Sequence, residues 1–170
     1  MILIKDLPLF EPIENVSYVD DGVLNIIYRL DGQSCVKVGK RIDKSDARKL
    51  LREAEIAENL YHGGVSVPRP LGIFRFSVSS FEALPSPLNA ETFLLGFVQE
   101  FIEGSFYRNL PKDFCEEAKR KYAEEMDKVK ALGFIRSPDS PYNSRNVLYQ
   151  FNANSLERAV LLDFEFWGIR

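Results

Sequence analysis

The stretch Val16-Ser17-Tyr18-Val19-Asp20-Asp21-Gly22-Val23-Leu24-Asn25-Ile26-Ile27-Tyr28-Arg29-Leu30-Asp31-Gly32-Gln33-Ser34-Cys35-Val36-Lys37-Val38 decides the reading of the fold. Asp21-Gly22 separates two runs rich in β-branched and aromatic residues, which is a hairpin signal. Asp31-Gly32 repeats that signal ahead of Ser34 to Val38. The spacing predicts three antiparallel strands in a meander, because two-residue turns join antiparallel neighbours directly. Lys37 is a charge set inside the otherwise apolar third strand.

Working outward, 43–61 reads as a helix. Ala47, Leu50, Leu51, Ala54, Ala57 and Leu60 fall on one apolar stripe, and Gly63-Gly64 stops it. Val65 to Pro70 must run extended, since residues before proline avoid the α region. Leu71 to Phe76 and Thr92 to Phe101 are predicted strands, and Val78 to Asn89 between them a surface loop. A second helix is predicted from Pro111 to Leu132, with Phe114, Ala118, Tyr122, Met126 and Val129 on its buried side and Glu and Lys opposite. A polar loop from Ser137 to Arg145, a strand from Asn146 to Phe151, a turn at Asn152 to Ser155 and a strand from Ala159 to Phe164 follow. The class is α+β: a five-stranded antiparallel sheet with one helix over 1–103, then a smaller helical part over 104–170.

Composition narrows the function classes. The chain has 170 residues, 45% apolar and 28% charged, enough to bury a core and too ordered in composition for a disordered or low-complexity chain. Lys plus Arg is 22 against 25 for Asp plus Glu, so no strong basic field exists to hold nucleic acid. The apolar runs fall far short of the ~20 residues of a membrane span. Lys5 and Asp6 come too early for a secretory signal, and two cysteines make no disulfide framework, which sets the expected location as cytoplasmic. One His nearly excludes a structural zinc site.

Three positions stand out chemically. Val160-Leu161-Leu162 delivers Asp163, an acid at the end of an apolar strand, where burial is costly unless the carboxylate is paired or metal-bound. Asn146 directly precedes the partner strand, so both fall on one sheet edge and can offer oxygens to Mg²⁺. Lys37 needs a carboxylate to hold its ammonium. Glu53 lies beside the stripe of Leu50, Ala54 and Ala57, whereas Glu55 falls nearer the solvent face.

The order of these parts resembles a protein-kinase-like fold. Val36-Lys37 looks like the end of the V-A-I-K strand. Arg52-Glu53-Ala54 followed by Gly64-Val65-Ser66-Val67-Pro68 is similar to small atypical kinases of the RIO and Bud32 type. Phe97 to Gly104 resembles a kinase hinge, Asn146-Val147-Leu148-Tyr149 the end of a catalytic loop, and Leu161-Leu162-Asp163-Phe164-Glu165 the metal-binding D-F-G segment. The D-F-E form is similar to that of choline-kinase and aminoglycoside-kinase relatives. The resemblance implies an ATP- and Mg²⁺-dependent phosphotransferase. Lys37 would contact the α- and β-phosphates, Glu53 would orient Lys37, and Gly22 would lie in the phosphate loop. Glu100 and Ile102 would offer backbone groups to adenine, Asn146 and Asp163 would hold Mg²⁺, and Asp139 would accept the substrate proton.

The chain also departs from that pattern. Only Gly22 represents the G-x-G-x-x-G loop, and two aspartates precede it. Pro141 stands five residues before Asn146, where the catalytic Asp belongs; Asp139 stands seven before and serves only with a longer loop. These departures imply the alternative of a pseudokinase, a binding or regulatory module with weak or no nucleotide binding. A third reading is an unrelated α+β interaction protein. Seven residues follow Asp163, so the second lobe is expected to be truncated. Phe164, Phe166, Trp167 and Ile169 crowd that end, and the expectation is a homodimer or an obligate protein partner that covers them.

Overall fold

A computed structural model describes residues 7–10, 16–21, 25–39, 44–77, 93–135, 145–152, 155–164 and 167–169. The chain forms two compact units, Met1–Ala54 with Pro70–Phe101, and Glu55–Arg69 with Ile102–Arg170. The division falls inside the first helix, so Glu55–Arg69 joins the second unit rather than the sheet.

The first unit is a five-stranded antiparallel sheet. Strands β1 (Ser17–Asp21), β2 (Asn25–Arg29), β3 (Ser34–Gly39), β4 (Pro70–Ser77) and β5 (Phe93–Glu100) lie in the order β1-β2-β3-β5-β4. The meander is present, but β1 continues through Asp20 and Asp21 instead of turning there. A bulge between Tyr18 and Asp20 shifts the register so that Asp20 faces Ile27 and Asp21 faces Ile26. Gly22, proposed for the phosphate loop, lies outside the described residues, as does the loop expected over 78–89.

Strand alternation sorts the sheet into two faces. One carries Ile26, Tyr28, Leu30, Val36, Val38, Phe76, Leu94 and Val98, a continuous buried cluster joined by Phe10, Val16 and Phe74. Gly96 faces Val38 and Phe74 across the ladder. A Cβ there would stand 2.4 Å from Phe76 Cε2 and 2.6 Å from Val36 Cγ2, so the core leaves room for glycine alone. The other face carries Cys35, Lys37, Phe97 and Gln99, all buried. The β2–β3 turn is closed by Asp31, whose Oδ1 accepts the backbone N–H groups of Gln33 (2.7 Å) and Ser34 (2.6 Å). The Gln33 N–H foremost holds the Asp31 carboxyl below its ordinary range. Arg29 ties the turn to the end of β5: its guanidinium donates to the carbonyls of Asp31 and Gly32 and lies 4.2 Å from the centre of the Phe101 ring.

Helix α1 (Lys44–His62) buries Leu50, Glu53, Ala54, Ile56, Ala57 and Leu60 along one side. It ends on a left-handed glycine. Gly64 has φ +76°, its N–H donates to the Tyr61 carbonyl (3.1 Å), and that of Val65 donates to Leu60 (3.0 Å).

The second unit holds α2 (Cys115–Ala131), a hairpin of β7 (Val147–Asn152) and β8 (Ser155–Leu161), and a short pair, β6 (Phe134–Ile135) with β9 (Gly168–Ile169). The helix starts at Cys115, not Pro111. Pro111 is extended (ψ 145°) and opens a single 3-10 turn, Lys112–Phe114, before the α-helix begins. Ala118 and Val129 are buried on α2 as the stripe implies, but Glu125 is buried too, on the side expected to be apolar. The last strand stops at Leu161, short of the expected Phe164, because Asp163 adopts φ +62°. Val147, Leu148, Tyr149, Ala159, Val160 and Leu161 are all buried, so both hairpin faces are covered.

The β6–β9 pair was not legible in the sequence. It returns the tail onto the chain, where Phe164 and Trp167 are buried and meet edge to face at 5.1 Å. Among the described residues no helix is long and apolar enough to cross a membrane.

Burial pushes the Cys35 thiol up to about 11, whereas Cys115 is only half-buried. A thiol reagent at pH 8 should label Cys115 in the folded protein and Cys35 only after denaturation, since the thiolate is the reacting species. Equal labelling rates, read by peptide mass spectrometry, would contradict the packing of β3.

Candidate functional site

Lys37 sits at the middle of the central strand, with Ile27 of β2 and Phe97 of β5 opposite it. It is 4% exposed, and Glu53 is 0% exposed. The Lys37 ammonium donates to Glu53 Oε1. The helix stripe explains the choice of partner: Glu53 lies between the buried Leu50 and Ala54 and the buried Ile56 and Ala57, while Arg52 and Glu55 are exposed. Two charges out of water cost several kcal/mol each, about what their mutual attraction returns, so an apolar pair would serve stability as well. The pair is net neutral, with the Lys37 ammonium held in place by Glu53.

Asn146 and Asp163 both stand at the open end of the β7–β8 hairpin. Val147 faces Leu161 in the ladder, and the Leu162 N–H donates to the Asn146 carbonyl (2.8 Å), so Leu162 lies opposite Asn146 and Asp163 follows one residue further on. Asp163 is fixed from both sides: Leu161 before it is 0% exposed, and Phe164 after it is 1% exposed and accepts the Trp167 N–H (3.1 Å). Its left-handed backbone is uncommon for a residue with a Cβ, although Asp tolerates it better than most. Strain of this kind persists only where the surroundings over-determine it.

The donors fit a hard cation in part. One carboxylate and one amide oxygen match Mg²⁺, which commonly takes one or two carboxylates and completes its shell with waters and substrate phosphates. Among the described residues no group of three or more His, Cys, Asp or Glu side chains comes together.

The remaining predicted residues divide. Glu100 ends β5 opposite Ser34, and its carbonyl lies 3.8 Å from Cys35 Sγ. Ile102 is buried against Leu148 and Val160 in the second unit. Asp139 and Gly22 lie outside the described residues. His62 is exposed beside Tyr61.

Sequence reasoning missed Glu125. It carries a 2.7 Å hydrogen bond from the Ser66 backbone N–H to Oε2 and a 2.7 Å ion pair from Lys128 to Oε1. The signal was present: Ala118, Tyr122, Glu125 and Val129 recur at four, three and four residues, the spacing of one helix face. Met126 beside it is only half-buried.

The sequence matches no model of a known protein family and no curated protein.

The backbone at residue 163 gives a direct check on this geometry. Asp163→Val should be less stable than Asp163→Gly by about 1–2 kcal/mol, because only the β-branched side chain pays the left-handed penalty in full. Equal denaturation midpoints would contradict the left-handed turn.

Proposed function

We propose that the chain has a protein-kinase-like fold and works as a minimal ATP- and Mg²⁺-dependent phosphotransferase. The observation that carries this reading is the buried ion pair between Lys37 on the third strand and Glu53 on the following helix. In protein kinases, a lysine of the third strand paired with a helix glutamate must be in place for phosphoryl transfer. The antiparallel order β1-β2-β3-β5-β4 and an asparagine and an aspartate at the end of a later hairpin add support.

Each residue has a defined task. Glu53 keeps Lys37 charged and aimed, and Lys37 neutralises oxygens of the α- and β-phosphates. Backbone groups of Glu100 and Ile102 meet the adenine edge, and Gly22 leaves room at the phosphate loop. Asn146 and Asp163 hold Mg²⁺, which supplies charge neutralisation on the phosphates. Asp139 takes the proton from the acceptor hydroxyl as its oxygen bonds to the γ-phosphorus and the bond to the β-phosphate oxygen breaks. Catalysis of this kind is mostly positioning and electrostatics.

A second reading, a pseudokinase, is favoured by two particular features. Asp20 and Asp21 precede Gly22 in the sequence, adding negative charge to the segment that resembles the phosphate loop, and Pro141 stands five residues before Asn146, where the resemblance expects the base.

Calorimetric titration with ATP, with and without Mg²⁺, tests the nucleotide binding that the phosphotransferase reading requires. The parent should bind ATP more tightly with Mg²⁺, and Asp163→Asn should lose that Mg²⁺-dependent gain. Asp139→Asn should lower ATP consumption about 10²–10⁴-fold for an active enzyme. Binding without turnover in the parent selects the pseudokinase, and no ATP binding at all overturns the phosphotransferase.

A further inference from the structure

Glu125 is a buried carboxylate, 7% exposed, on a helix whose other acids are exposed or half-buried. Glu116, Glu124 and Asp127 form exposed pairs with Lys119, Arg120 and Lys130. Burying one acid among them is costly unless its oxygens are used. Both are: Lys128 holds Oε1, and the Ser66 N–H holds Oε2. Ser66 belongs to the extended segment after α1, in which Val65, Val67 and Pro68 are buried.

The same residue reaches the hairpin. The Ser66 carbonyl accepts the Leu161 N–H at 2.9 Å. The next amide, that of Leu162, turns the other way to the Asn146 carbonyl. Successive amides of a strand point to opposite edges, so Ser66 covers the open edge of β8 while β7 covers the other. Ser105 plays the matching part on the outer edge of β7, exchanging two hydrogen bonds with Tyr149. Two residues beyond Leu161 stands Asp163 with its left-handed backbone.

We infer that Glu125 is a positioning residue: through Ser66 it fixes the strand exit that carries Asp163. A carboxylate on α2 holds one end of a peptide plane whose neighbour holds Leu161, so the direction in which the chain enters residue 163 depends on Glu125. The consequence for metal holding rests on the proposed role of Asp163; the backbone coupling does not.

Amide hydrogen exchange by NMR on the full chain reads the coupling, with Val36 in the sheet as a reference amide. Glu125→Ala should speed exchange at Ser66 and Leu161 by about tenfold relative to Val36, the effect of losing one buried hydrogen bond to a charged acceptor. Glu125→Asp, one methylene too short to reach Ser66 yet still charged and helical, should do the same and serves if the alanine variant does not fold. Glu125→Gln keeps an acceptor oxygen and should restore parent-like exchange. Mn²⁺ binding in the presence of ATP, followed by electron paramagnetic resonance, should weaken about tenfold in the first two variants and recover in the third. Unchanged exchange at Leu161 in Glu125→Asp overturns the inference. Faster exchange with unchanged Mn²⁺ affinity overturns its consequence for the metal. A parent that binds no Mn²⁺ refutes the metal role of Asp163, and the exchange result then decides the coupling alone.

Discussion

The ion pair between Lys37 and Glu53 sets the terms for the first unit. A central strand buried on both faces has no water to offer an ammonium, so Lys37 can occupy β3 only if a carboxylate is brought to it. That requirement fixes the rotation of α1 about its axis: Glu53 must face the sheet, which puts Arg52 and Glu55 outside. A pair of apolar residues would fill the same space without the desolvation cost. Keeping the charges makes sense where a fixed positive centre is used, and an anionic phosphate is the natural user in the proposed function.

The second unit is organised around a different constraint, the need to cover a short hairpin. Two strands alone are marginal in water, because their outer edges leave backbone groups unpaired. Here Ser105 pairs with the edge of β7 and Ser66 with that of β8. The apolar side chains Ile102, Leu148 and Val160 pack on one face, joined by Phe106 and Leu162. The hairpin so held ends in Asn146 on one strand and Asp163 past the other, which gives a carboxylate a fixed direction. The buried Phe164 and Trp167 close the exit, and β9 pairs with β6 beyond them.

Local signals carried much of this. The two Asp-Gly steps and the alternation of β2 and β3 were enough to place the meander, and Gly63-Gly64 marked the end of α1, where Gly64 takes the left-handed cap. Lys37 was legible as a charge inside an apolar strand, and Glu53 by its place beside the helix stripe of Leu50, Ala54 and Ala57. The failures share a cause, which is dependence on distant partners. Glu125 shares the helix face of Ala118, Tyr122 and Val129, but what holds its carboxylate there is the hydrogen bond from the extended segment at Ser66. The two-residue strands β6 and β9 carry no period at all, and only pairing defines them. The stop of β8 before Asp163 follows from a backbone angle that residue type alone does not reveal.

The central claim is that the Lys37–Glu53 pair is kept for its charge rather than for stability, and a double-mutant cycle tests it directly. Lys37→Met, Glu53→Leu and the combined variant would be unfolded in urea and titrated with ATP. Each single change leaves a buried charge uncompensated and should cost about 3–5 kcal/mol. The double variant should recover most of that stability while ATP binding stays lost. Additive losses in the double variant, or a double variant that binds ATP as the parent does, would contradict the account.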